Sequence, residues 1–205
     1  MPDSPSGLTR QDGSGKYNGQ TGWTRRLTGA MTQEMSQFRQ LLKQSIAGPH
    51  KRLEDLAVMK VYSNGNASLD QYLAVTEGLY EFWINHQPRT DRLPNRFHQF
   101  YSRYLSALEQ DVGERRTAHA KTPVNEIAFF YVLLGSGLGA RVIRQRYQDN
   151  TLPQKNIDHL AQNSAPLWKT FIAEQLNTVP ESEHGAITGE AHHLFTTLYN
   201  NIVTI

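Results

Sequence analysis

The sequence predicts an all-α fold. Apolar residues recur every three or four positions along successive segments, which is the period of an amphipathic helix. No segment shows a convincing alternation of apolar and polar residues with the period of two that a half-buried strand requires. A chain of 205 residues is long enough to bury a substantial core as one domain.

The N-terminal residues differ in composition from the rest. Residues 1 to about 30 are rich in Gly, Ser, Thr and Asp and have little apolar periodicity, so we expect a mobile tail. Trp23 is the one residue of this tail that is large enough to dock on the body of the protein. Residues 31–205 are expected to form the helical domain.

The first helix of that domain is expected to run from an N-cap at about Thr32 to about Tyr62. Pro49 should interrupt and kink it, because proline lacks the amide donor and its ring clashes with the preceding turn. Ser68 is predicted to cap the second helix. A loop from Pro88 to Pro94 is then expected to lead into the third helix.

Proline and threonine mark the predicted helix ends in the C-terminal half. Pro123 suits the first position of the next helix, because its missing N–H would be unpaired there in any case. Leu152-Pro153 should break the chain before a shorter helix, and Pro166 is predicted to begin another. Thr188 is expected to cap the last helix.

Charge and cysteine content exclude several classes of function. Lys and Arg total 21 against 19 Asp and Glu, and the formal charge of +2 is dispersed, so no nucleic-acid surface is expected. Glu126 and Arg141 bracket only 14 uncharged residues, fewer than the roughly 20 that a bilayer span needs. No membrane partner is therefore expected. The lack of cysteine and of a signal-peptide pattern favours a cytoplasmic location.

Three glycines, Gly135, Gly137 and Gly139, lie within the most apolar helical segment, residues 127–143. Each should cost a helix roughly 1 kcal/mol relative to alanine, so the cluster indicates a compensating role for exposed backbone. Gly135 and Gly139 share a face that carries no Cβ, which suits a flat ligand lying against the main chain. Close packing of two helices is the alternative explanation of the same spacing.

His50 differs from the other histidines because of its neighbours. Glu54 lies one turn after it and could accept the other ring N–H, which would hold the imidazole in a metal-binding tautomer. Lys43 lies two turns before it on the same face, where a cation could meet an anionic group of a ligand. The alternative is an ordinary exposed histidine in a charged helix.

Together, these two segments resemble the haem oxygenase family. Its proximal-histidine stretch is similar to Leu-Lys-x-x-Thr-x-x-x-His-x-x-x-Glu, which Lys43, His50 and Glu54 fit. In the branch associated with bacterial phytochromes its distal helix carries Gly-Ser-x-Leu-Gly-Gly, and residues 135–140, Gly-Ser-Gly-Leu-Gly-Ala, resemble that motif. The resemblance covers roughly residues 33–200.

The resemblance implies a multi-helical bundle with haem between the first helix and a glycine-kinked distal helix. Haem would be both cofactor and substrate, with His50 as the proximal ligand of the iron and Glu54 on the second ring nitrogen. Gly135 and Gly139 would let the backbone approach the porphyrin. Ser136 stands where many members have an aspartate that organises the proton-delivering water network, so it is included among the expected catalytic residues.

Further haem contacts are expected from cations and aromatic residues. Lys43 and Lys169 are candidates for binding the propionates, and Trp83, Phe130 and Phe195 are candidates for the pocket wall, although their spacing is also that of ordinary core residues. By resemblance, the reaction converts haem to biliverdin, carbon monoxide and ferrous iron with O2 and electrons from a ferredoxin or a flavoprotein reductase. The alternative is a haem-binding or partner-binding protein of the same fold without ring cleavage.

Overall fold

The computed structural model is predominantly helical, which confirms the predicted all-α class. It describes residues 22–89, 92–113, 121–147 and 151–204, with side chains from residue 37 onward. These parts of the chain contain seven α-helices: α1 (Gly22–Asp55), α2 (Ala57–Ser63), α3 (Leu69–Asn85), α4 (Asn95–Val112), α5 (Glu126–Arg146), α6 (Lys155–Thr170) and α7 (Glu181–Val203). A π-helical turn, Phe171–Gln175, and a 3-10 turn, Leu176–Thr178, follow α6.

Two short strands join the helices, so the expectation of no strands was wrong in this respect. Strands β1 (His86–Pro88) and β2 (Thr122–Val124) pair in parallel, with His86 opposite Thr122. Each has only three residues, too few for an alternating pattern to be recognised in the sequence.

The first helix begins earlier and ends differently than predicted. The chain is helical from Gly22, while residues 1–21 of the predicted tail and the side chain of Trp23 lie outside the described residues. Met35 begins a compact unit, and the described residues before it belong to the N-terminal part of α1. Pro49 lies inside α1 without interrupting it. The Ser45 carbonyl oxygen, which has no amide donor at residue 49, instead accepts from His192 Nδ1 at 2.7 Å. The interruption comes instead at Leu56, whose ψ of 136° is extended.

Side-chain caps explain where two of the other helices begin. The predicted Ser68 cap of α3 is confirmed as a capping box, in which Ser68 Oγ accepts from the Gln71 amide and Gln71 Oε1 accepts from the Ser68 amide. The predicted start of α5 at Pro123 was wrong, because Pro123 lies in β2 and Asn125 caps the helix. Asn125 Oδ1 accepts from the amides of residues 127 and 128.

Two further predicted helix starts were wrong because the residues concerned lie inside longer helices. Pro166 lies inside α6, which continues to Thr170 and packs against both α4 and α5. Thr188 lies inside α7, which begins at Glu181 and packs against α3 and α5. Local capping residues therefore mark candidate ends, but packing against neighbouring helices carries the chain through them.

Helix α5 is the central element of the core. It packs most extensively against α6 and also against α7 and α2, and residues 126–134 are all buried. Within the described residues it is the one helix long and apolar enough to cross a membrane, but 61% of its apolar window is buried inside the protein. The α-helix continues through all three glycines. Residues of its C-terminal half line a cavity.

Candidate functional site

A cavity of about 650 Å³ lies beside the glycine-bearing half of α5 and is lined by residues from all seven described helices. It brings together most of the site residues that the sequence predicts: His50 and Glu54 from α1, Trp83 from α3, Gly135, Ser136 and Gly139 from α5, and Phe195 from α7. Lys43 and Lys169 are exposed and are not among the residues that line it. Segments more than 80 residues apart in the chain therefore meet at one site.

His50 reaches the cavity from an accessible position. Its side chain is 47% exposed, and Nδ1 lies 3.5 Å from Glu54 Oε1, one helical turn further on. The ring meets Phe195 edge-on, with the two centroids 5.2 Å apart. Within the described residues no hydrogen bond engages Nε2 of His50. The carboxylate beside Nδ1 and the aromatic contact orient the imidazole, which leaves Nε2 as the available ligand nitrogen.

The three glycines of α5 serve different purposes. A Cβ at Gly139 would meet no atom within 4 Å, and one at Gly135 would make ordinary contact with the Trp168 ring at 3.9 Å. A Cβ at Gly137 would instead overlap the Ser164 side chain and lie 3.2 Å from the Leu160 carbonyl oxygen. Close helix packing therefore explains Gly137, whereas Gly139 leaves backbone uncovered at the cavity.

Ser136 lies at the cavity, but its hydroxyl is already used as a donor. Its Oγ donates to the Val132 carbonyl oxygen one turn earlier, at 2.9 Å. The lone pairs of this oxygen remain able to accept hydrogen bonds from a water or a ligand. Ser136 can therefore accept a hydrogen bond from a donor in the cavity. Its hydroxyl can donate a hydrogen bond into the cavity only by rotating away from Val132.

The aromatic candidates separate into wall and core residues. Phe195 is 5% exposed and contacts His50, so it forms part of the wall. Trp83 is 2% exposed, packs edge-on against Phe129, and also reaches the cavity. Phe130 is fully buried among neighbours that include Phe97 and is not among the lining residues, so the core interpretation describes it best.

Sequence reasoning missed a buried polar network beside the cavity. Asn156 of α6 lines the cavity, and its Nδ2 donates to Asp111 Oδ2 at 2.7 Å and to the Tyr72 hydroxyl oxygen at 2.9 Å. Asp111 also accepts from the backbone amides of Lys155 and Asn156, which begin α6. The carboxylate of Asp111, in α4, thus accepts hydrogen bonds from the otherwise unpaired amides at the N-terminus of α6. No local spacing in the sequence could have indicated this contact between two helices.

Two buried tyrosines add neutral hydroxyl groups to the cavity wall. Burial raises the pKa of Tyr62 well above its ordinary value, with smaller contributions from neighbouring tyrosines. Burial likewise raises the pKa of Tyr104. Both phenols therefore stay protonated at neutral pH and can act as hydrogen-bond donors but not as anionic ligands.

The cavity thus combines an imidazole, uncovered helix backbone and largely apolar or neutral walls. Such a site can hold a flat apolar molecule and offer one nitrogen ligand to a metal at the centre of that molecule. Comparisons with protein-family models, with curated proteins and with solved structures found no match to this chain.

Proposed function

We propose that this protein is a haem oxygenase that binds haem in the α1–α5 cavity and cleaves it to biliverdin, carbon monoxide and ferrous iron. Electrons would come from a ferredoxin or a flavoprotein reductase, and the reaction would take place in the cytoplasm. The observation that carries the proposal is that His50 and Glu54 line the same cavity as Gly135, Ser136 and Gly139. The two groups come from two separate sequence motifs, which together resemble one family.

Three features of the cavity support a porphyrin as its ligand. Its volume of about 650 Å³ lies in the range typical of small-molecule sites, roughly 300–1,000 Å³. The space beside Gly139, where a Cβ would meet no atom, would let a planar ring approach the backbone. In the described residues no group of three or more His, Asp or Glu side chains is arranged to hold a metal ion. A single imidazole suits a metal that brings its other ligands with it, as haem iron does.

The roles of the protein residues follow from their contacts. Haem, when bound, would supply the iron at which O2 is activated and the ring that is oxidised. His50 would present Nε2 to the iron, and Glu54, whose Oε1 lies 3.5 Å from Nδ1, would orient the ring. Ser136 Oγ would accept a hydrogen bond from water, and the apolar walls would limit access of bulk solvent.

One contact favours the second candidate, a haem-binding protein that does not cleave the ring. The Ser136 hydroxyl proton is directed at the Val132 carbonyl rather than into the cavity. Because serine also lacks the charge of a carboxylate, proton delivery would depend on water and on the neutral phenols of the wall. A protein with too little proton delivery would bind haem and O2 without product formation.

Titration with haemin, followed by addition of a reductant system and O2, separates these possibilities. Cleavage predicts loss of the Soret band, appearance of biliverdin absorption and release of carbon monoxide. A stable complex that keeps its Soret band would favour the non-catalytic binder. Failure to take up haemin in a one-to-one ratio would refute both functions.

His50→Ala should remove the spectrum of imidazole-ligated ferric haem, because its side chain supplies the proposed ligand nitrogen. Free imidazole added to the variant should restore that spectrum by occupying the vacated position. His193→Ala is the matched control, since His193 is exposed and is not among the cavity-lining residues. An unchanged ferric spectrum in His50→Ala would reject His50 as the ligand.

A further inference from the structure

Arg146 ends the cavity-lining face of α5. Gly135, Gly139, Val142 and Arg146 follow each other at intervals of four, three and four residues, and all four line the cavity. The face therefore changes from bare backbone to an apolar side chain and then to a cation. At 1.5 Å per residue, the guanidinium-bearing residue is about 10 Å along the helix from Gly139.

The turn between α2 and α3 holds Arg146 in place. Arg146 Nη1 donates to the Ser63 carbonyl oxygen and to Asn64 Oδ1, both at 2.8 Å. Gly65 has φ +76°, and a Cβ on it would approach the Arg146 carbonyl oxygen to 2.6 Å, so the turn packs directly on the end of α5. The arginine is thus oriented before any ligand binds.

The same contacts leave part of the guanidinium available. Arginine has five N–H donors, and the two hydrogen bonds to the turn use those of Nη1. No hydrogen bond within the described residues uses Nε or Nη2 of Arg146. These two nitrogens form the edge that pairs with both oxygens of a carboxylate in a bidentate arrangement.

Charge in the cavity is otherwise sparse. Among the described residues that line it, Arg146 is the only lysine or arginine, and Glu54 is the only acidic residue and lies beside His50. The exposed Leu138 and Val142 side chains on α5 form an apolar border. Arg146 itself is exposed at the edge of the cavity, so the free edge of its guanidinium is accessible to a ligand carboxylate.

We infer that Arg146 binds a carboxylate of the cavity ligand and so fixes the ligand's orientation along α5. The inference rests on the proposed function, in which the ligand is a porphyrin whose two carboxylates are on one edge. Arg146, rather than Lys43 or Lys169, then directs that edge towards the α2–α3 turn. Because the ring cannot rotate freely once anchored, Arg146 also determines which meso carbon faces Ser136 and Gly139.

The test compares a charged ligand with its uncharged ester. Metal-free protoporphyrin IX and its dimethyl ester are titrated into the wild-type protein and into Arg146→Gln, with binding followed by quenching of protein fluorescence. Loss of a bidentate pair at an exposed guanidinium should weaken binding of the diacid roughly fivefold and leave binding of the ester unchanged. Arg144→Gln is the matched control, because Arg144 is on the same helix but pairs with Asp158 and does not line the cavity.

Several results would overturn the inference. They are equal affinity of wild type and Arg146→Gln for the diacid, equal weakening for diacid and ester, or a dependence on Lys43 or Lys169 instead. If Arg146→Gln does not fold, Arg146→Lys replaces it, because lysine keeps the charge but cannot form the bidentate pair and should also weaken binding of the diacid. A wild-type protein that binds the diacid and the ester equally would likewise overturn the inference. With haemin, the variant should also change the proportions of the biliverdin isomers.

Failure of the proposed function can be distinguished from failure of this inference. If the wild-type protein binds no porphyrin, the proposed function is refuted, and the apolar anion 8-anilinonaphthalene-1-sulfonate then probes the cavity. Arg146 binding an anionic group predicts roughly fivefold weaker binding of this dye by Arg146→Gln. Equal binding by the two proteins, or no binding to either, would overturn the inference.

Discussion

Replacing Gly137 by alanine should destabilise the protein, whereas the same change at Gly139 should not. The added methyl group at Gly137 would overlap the Ser164 side chain, while at Gly139 it would meet no atom within 4 Å. Overpacking of a close contact costs about 1–3 kcal/mol of unfolding free energy. Both variants gain up to about 1 kcal/mol from the higher helix propensity of alanine, so their difference isolates the overlap.

Urea unfolding followed by circular dichroism measures this difference, and thermal unfolding should show a matching shift of roughly 2–4 °C for each kcal/mol. Combining Gly137→Ala with Ser164→Gly removes both overlapping atoms. The double variant should therefore be more stable than the sum of the two single changes by about 1–3 kcal/mol. Equal stability of Gly137→Ala and Gly139→Ala, or simple additivity with Ser164→Gly, would refute the assignment of Gly137 to helix packing.

Two further changes test the buried polar groups. Asp111→Ala should lower the unfolding free energy by about 2–4 kcal/mol in urea titrations, because the Lys155 amide and the buried amide and side chain of Asn156 lose their acceptor. A cost below 1 kcal/mol would contradict this. Burial lowers the pKa of His86 and His159 below 6.5. Stability should therefore fall as the pH drops from about 6.5 through their folded-state pKa values, because the unfolded chain binds protons more readily. The double variant His86→Asn, His159→Gln should make the unfolding free energy less dependent on pH in this range. An unchanged slope of unfolding free energy against pH would exclude these two histidines as its cause.

Helices were predictable from the sequence where a residue acts on its own neighbours. Ser68 caps α3 through the amide three residues later, and this contact exists wherever the helix forms. Predictions based on proline failed more often: Pro49 and Pro166 both lie inside helices. The cost of a missing amide is local, but the packing that outweighs it comes from distant parts of the chain.

The candidate site was predictable to a similar extent. The spacing of His50 and Glu54, and the shared face of Gly135 and Gly139, depend only on helix geometry. Sequence gave no indication of Asn156, because its hydrogen bonds join α6 to residues of α3 and α4. Arg146 could have been predicted from its spacing after Gly139, had the glycine face been extended two turns towards the C-terminus.

By itself, the sequence determined that the protein is helical, that α5 carries an unusual glycine face, and that His50 has a carboxylate one turn away. These are consequences of helical periodicity, which acts within a few residues. Only the tertiary structure decided that Gly137 serves packing while Gly139 is open, and that Arg146 rather than a lysine lines the cavity. Such distinctions depend on which atoms of distant segments approach each other, and burial of the whole core determines that approach.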